Sequence, residues 1–112
     1  MRKFDYRSPR FSIDVPVTFM QGRSTQPGRC KEISEEGMKI ELSEPLSLDS
    51  YVSAYLICED LSLNLPVKVM HVGPDSSGVK FIYESRAQRD RVSRVLASLI
   101  GQHPHPRPML TS

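Results

Sequence analysis

Four cations crowd the first ten residues: Arg2, Lys3, Arg7 and Arg10. Guanidinium groups hold phosphates and carboxylates bidentately and stack on planar rings, so a basic leader of this kind suits capture of an anion such as a phosphate, a nucleotide or nucleic acid. The competing reading is a solvated tail that only aids solubility. The charge is unevenly spread. Residues 1–31 carry a net +5, residues 32–66 a net −7 and residues 67–112 a net +4, for +2 over the 112-residue chain.

Other reactive side chains point nowhere in particular. Cys30 and Cys58 lie far apart with no CxxC. A structural zinc site needs about four ligands in short paired spacings, so no metal is indicated. Both cysteines sit in apolar, strand-like stretches and read as buried thiols rather than a disulfide. His71 shares a strand register with core residues and reads as a packed or edge histidine. His103 and His105 form an HxH among prolines without further ligands. There is no G-x-S-x-G, phosphate-binding P-loop or HExxH, and no Cys/His pair is placed for nucleophilic work. The chain reads as a non-enzyme with no cofactor.

The elements that must position the basic leader follow from periodicity. Residues 12–20 (SIDVPVTFM) alternate, with Ile13, Val15, Val17 and Phe19 on one face. That is the period of a half-buried strand. Pro16 lacks an N–H and calls for an unpaired side or a bulge there. Residues 21–28 are polar with Gly and Pro and read as a loop. Residues 29–33 (RCKEI) and 38–42 (MKIEL) read as a hairpin around a tight turn, SEEG, whose Gly37 suits positive φ. Residues 51–58, 63–72 and 78–83 (GVKFIY) supply three more strands. The period then changes: Val92, Val95, Leu96, Leu99 and Ile100 mark an amphipathic helix over residues 86–100. Ser85 with Gln88 gives it a capping box, and Gly101 suits its C′ position.

Six short strands followed by one helix predict a mainly β protein. The best burial for such a meander is a small six-stranded antiparallel β-barrel with one C-terminal α-helix over an open end or side; an open sandwich is the rival. The divisions are a basic arm at 1–11, the barrel and helix at 12–101 and a disordered proline-rich tail at 102–112. One domain is all that 12.7 kDa allows. No apolar run approaches the ~20 residues of a membrane span, and no apolar stretch follows the charged N-terminus as in a signal peptide, so the expected location is cytoplasmic.

Three separated stretches, YRSPRF (6–11), EISEEG (32–37) and GVKFIY (78–83) followed by a helix, resemble the PilZ domain family over residues 7–101. That family carries RxxxR before its first barrel strand and [D/N]xSxxG at the second-to-third strand turn. The resemblance implies a bacterial receptor for the second messenger cyclic di-GMP. It further implies an adaptor that relays binding to a partner protein, with motility, pili, secretion or polysaccharide as output. It assigns ligand contacts to Arg7, Arg10, Glu32, Ser34 and Gly37. Arginine holds phosphate or the guanine O6/N7 edge, and a carboxylate accepts from guanine N1–H and N2–H₂.

The departures are specific. With Arg10 directly before the strand, the first motif arginine falls on Tyr6, and Arg7 comes one position late. Tyr6 can stack on a base but cannot make a charged bidentate contact. Glu32 replaces Asp or Asn and is one methylene longer. Losing one charge-assisted group costs ~1.5–3 kcal/mol, about ten- to a hundredfold in affinity. The alternative is therefore a degenerate PilZ domain that binds no nucleotide and acts as a protein–protein interaction module. A nucleic-acid-binding barrel is disfavoured: its aromatics would have to stand exposed on a basic face, whereas here they share core registers and the middle third is acidic.

Overall fold

The computed structural model describes residues 9–58 and 61–102. Alternating apolar residues build six strands, β1 (Phe11–Gln21), β2 (Ser24–Ile33), β3 (Gly37–Leu42), β4 (Tyr51–Cys58), β5 (Leu61–Val72) and β6 (Ser77–Phe81). The helix α1 (Arg86–Gln102) follows. All strand pairs are antiparallel and the sheet closes into a barrel in the order β1-β2-β3-β6-β5-β4. This is not the simple meander expected. Two three-stranded meanders are joined by β1–β4 and β3–β6 pairing, and residues 43–50 carry the chain between them. Leu46 of that connection is buried in the core. Asp49, at φ 66°, donates its N–H to Val69 O at 2.8 Å and so anchors the connection on β5.

The barrel interior is apolar. Ile13, Val15, Val17 and Phe19 line it from β1, and Ile40, Leu56, Leu65, Val67 and Val69 complete it from other strands. Helix α1 packs on β5 and β4. Its Val92, Val95 and Leu96 are buried, each contributing about 1.5–3 kcal/mol. Ser85 Oγ accepts from Gln88 N at 3.3 Å, while Gln88 Oε1 accepts from Glu84 N, so the cap reaches one residue further back than a standard box. The helix runs through Gly101 to Gln102 rather than ending at Ile100. Its end lies just short of Pro104, whose ring disfavours helix in the preceding residue. The tail beyond Gln102 and the arm before Pro9 lie outside the described residues, as does the side chain of Cys58.

Several local expectations are corrected. The loop foreseen at 21–28 is a hairpin extension: Gln21 pairs with Ser24 around a two-residue turn whose Gly22 sits at φ 62°. These polar residues are strand because β1 pairs with them, not because they are buried. Pro16 does pair with Arg29, but it lies one residue outside the β1–β4 ladder, which begins at Val17. Pro27 and Pro66 likewise stand one residue before the β2–β3 and β5–β6 ladders. Each missing N–H thus falls where one ladder stops. His71 leaves the core register because a bulge between Val69 and His71 turns Met70, His71 and Val72 outward. Strand β6 ends at Phe81, two residues short of Tyr83.

Candidate functional site

Four strands meet at one rim: β1 starts there, β2 ends, β3 starts and β6 ends. Phe11 pairs with Ile33 and Gly37 with Lys80. Four of the five residues assigned by the family resemblance, Arg10, Glu32, Ser34 and Gly37, gather at this rim. Arg7, and the stacking candidate Tyr6, lie outside the described residues.

Arg10 stands directly before β1, half exposed. Its Nη2 lies 3.1 Å from Glu32 Oε1, and Lys39 Nζ lies 4.0 Å from Glu32 Oε2. Glu32 reaches this position through a bulge. In β2, Cys30 and Ile33 both face the core, three residues apart, because the register shifts between Cys30 and Glu32 against β3. Without that shift Glu32 would follow Cys30 into the barrel. Bulges re-aim side chains in this way beside functional sites. Cys30 is a free, buried thiol that donates to Glu32 O at 3.3 Å; burial pushes its pKa up to about 12, so it stays a thiol. A second cluster flanks the site: Arg29 and Lys31 pair with Asp14 and hold its carboxyl below the usual range, the Arg29 hydrogen bond most of all.

The turn at residues 34–37 is built from its own side chains. Ser34 N–H donates to Gly37 O at 2.9 Å, and Ser34 Oγ accepts from Glu36 N at 3.0 Å and Gly37 N at 3.4 Å. Ser34 is buried. Gly37 is not at positive φ, contrary to expectation. It must be glycine because a Cβ there would collide with the carbonyl oxygen of Val79 on β6. The close approach of β3 to β6 sets the residue, and the turn does not.

The sequence reading missed two features of the rim. Lys39 and Lys80 face outward from β3 and β6, opposite Gly78 and Gly37 respectively, so two lysines border a stretch of backbone without side chains. The signal was present as two Gly–x–Lys patterns, Gly37–Met38–Lys39 and Gly78–Val79–Lys80, but only strand pairing sets them diagonally. Glu35 binds the turn to the helix. Tyr83 Oη donates to Glu35 O at 2.6 Å, and Arg89 lies 3.7 Å from the Glu35 carboxylate. The Arg89 guanidinium also sits 5.2 Å over the Tyr83 ring, within cation–π range. Burial pushes the Tyr83 phenol up to about 12. Among the described residues no three His, Cys, Asp or Glu gather as a metal site, and no helix is long and apolar enough to cross a membrane.

A family model described as the PilZ domain matches residues 5–98. No curated protein matches the chain. Among solved structures, the chain is similar to the PilZ domain of YcgR from Escherichia coli with c-di-GMP (TM-score 0.75, 13% identity, covering 88% of this chain and 93% of that one). It is similar to the PilZ domain of CeSA from a cellulose-synthesizing bacterium (0.69, 20%, 86% and 99%). The K. pneumonia MrkH–c-di-GMP complex also matches (0.75, 17%, 94% and 56%), so this chain spans about half of MrkH. These identities speak for the fold. The family model, over most of the chain, speaks for descent: with the arm, the serine–glycine turn and the helix in the expected order, the chain belongs to the PilZ domain family.

Proposed function

We propose that this protein is a cyclic di-GMP receptor and adaptor, whose rim of Arg10, Glu32, Ser34 and Gly37 takes the nucleotide and passes its occupancy to a partner protein. The observation that carries the reading is the Arg10–Glu32 ion pair set beside the serine–glycine turn. The structures of the YcgR PilZ domain and of MrkH named above hold this nucleotide. An exposed ion pair is worth only ~0–1 kcal/mol, whereas a charge-assisted hydrogen bond to a ligand contributes ~1.5–3 kcal/mol. A phosphate or a guanine O6/N7 edge can therefore draw Arg10 from Glu32, leaving the carboxylate to accept from a guanine N1–H and N2–H₂. Arg7 would supply a second guanidinium from the arm, and Tyr6 a stacking ring. The reading involves binding only, needs no cofactor, and places the protein in the cytoplasm with its ligand.

The route to a partner runs through Glu35, which holds Tyr83 and Arg89 at the start of α1. Motility, pili, secretion and polysaccharide synthesis are the outputs the family suggests. One observation favours the second reading, a PilZ domain that binds no nucleotide and docks constitutively: Glu32 already has two cationic partners, Arg10 and Lys39. Calorimetric titration with cyclic di-GMP separates the two. Saturable heat that falls at least ~tenfold in affinity in Arg10→Ala supports the receptor. No heat at about millimolar nucleotide, far above any signalling affinity, leaves the interaction module.

A further inference from the structure

We infer that a phosphodiester of the nucleotide lies over the bare backbone at Gly78, between the ammonium groups of Lys39 and Lys80. The inference rests on the receptor reading above and adds residues to its site. The barrel wall beside the rim is unevenly charged. Strands β4, β5 and β6 hold no acidic residue and two lysines, Lys68 and Lys80. These two stand directly opposite each other across the β5–β6 ladder. Both face outward, because their neighbours Val67, Val69, Val79 and Phe81 are buried in the barrel. Like charges placed opposite each other destabilise a sheet. Lys68 relieves part of this by leaning over the Tyr51 ring, 5.8 Å from its centroid. Lys80 has no ion pair among the described residues. Lys39 joins them from β3. Gly37 pairs with Lys80 and Lys39 with Gly78, so the two lysines are diagonal neighbours, ~7–8 Å apart at the backbone. Flexible four-carbon stems let both ammonium groups reach one phosphate from there.

Gly78 supplies the second observation. It sits inside β6 without a positive φ, and a Cβ there would meet nothing nearer than His71 Cβ at 3.8 Å. Val79 O forces glycine at Gly37, but packing does not force it at Gly78. Glycine inside a strand weakens the strand and often marks the close approach of a ligand. Here it leaves an open floor between two lysines. The position also fits the proposed site. Lys39 pairs with Glu32 on one side and with Gly78 on the other. Glu32, proposed to read guanine, therefore stands two strand spacings, about 10 Å, from that floor. A nucleotide spans such a distance from base edge to phosphate. Lys80 supplies a positive charge that Tyr6, at the first motif position, does not. The carboxylates bordering the patch each stand opposite a cation, Glu32 opposite Lys39 and Glu41 opposite Arg29. The unbalanced charge is thus only about two strands wide, which suits a single phosphodiester better than an acidic protein segment or a lipid surface.

The test is calorimetric titration of the full chain with cyclic di-GMP at two salt concentrations, beside urea unfolding of each variant. Lys80→Gln should weaken binding at least ~tenfold and flatten its salt dependence, with a urea midpoint no lower than that of wild type. Gly78→Val should block the nucleotide by a similar factor, again without lowering the midpoint. Arg23→Gln, in the turn between β1 and β2 at the far end of the barrel, should stay within about twofold of wild type. Amide shifts in the wild-type protein, which need no variant, should fall on Lys39, Gly78 and Lys80. No heat with the wild type at about millimolar nucleotide sinks the receptor reading and this inference together. Wild-type binding that Lys80→Gln and Gly78→Val leave intact overturns this inference alone. So does an affinity loss in Lys80→Gln matched by a lower urea midpoint, which would make the lysine structural. Tighter binding of a glutamate decapeptide at the same salt would give the patch to an acidic segment instead.

Discussion

The turn at residues 34–37 and Arg10 meet at the same rim, yet they are held by different physics. The turn is over-determined. Ser34 supplies two acceptor contacts, Glu36 O accepts from Phe81 N at 2.9 Å, and Glu35 is clamped by Tyr83 and Arg89. Arg10 is half exposed and meets Glu32 in a surface ion pair. Serine and glycine at this turn are therefore demanded by the barrel whether or not a ligand binds. The function proposed above leaves discrimination of ligand to Arg10 and the bulged Glu32. A family motif can thus report fold with its rigid half and function with its loose half.

The largest effect belongs to Gly37. Gly37→Ala drives a methyl into Val79 O and should destabilise the protein by ~3 kcal/mol, read as a lower urea midpoint. Unchanged stability would show that β3 and β6 can separate and that the glycine is there for a ligand. Ser34→Ala comes next. It removes two contacts inside a buried turn and should cost about 1–2 kcal/mol in the same measurement. Arg10→Ala sharpens the comparison from the other side. Stability should stay within ~0.5 kcal/mol of wild type while nucleotide affinity falls. A loss as large as that of Ser34→Ala would place the arm among the structural parts.

The smallest effect is a pH dependence. The Tyr83 phenol is raised to about 12 in the folded protein, chiefly by burial, from 10.0. Its contribution is fully present below pH 10 and is lost as pH rises from there through about 12. Absorbance titration of phenolate should show one tyrosine ionising late, and Tyr83→Phe should remove that late step. A late step that survives the substitution belongs to another tyrosine.

Much of this was legible in advance. The alternation from Ile13 to Phe19, the helical stripe at Val92, Val95 and Leu96, and the Ser85 cap all appear where their periods put them. The polar hairpin at 24–28 did not, because its strand character comes from pairing with β1 rather than from burial. The bulge that exposes Glu32 left a faint mark, Cys30 and Ile33 both apolar at spacing three, which a strict period of two passes over. The reason for Gly37 was out of reach locally, since the atom that forbids a side chain belongs to Val79, over forty residues away.

The amino-acid sequence by itself determined the element types and the face each would bury, because side-chain periodicity is a property of a short stretch of chain. It also placed the arginines before β1 and the serine–glycine turn after β2. Only the tertiary structure decided that β3 pairs with β6 and β1 with β4, and hence that Arg10, Glu32, Lys39 and Lys80 share a rim. Strand closure is a contact between distant segments, and its energy depends on the whole barrel packing at once, so no window of neighbouring residues contains it.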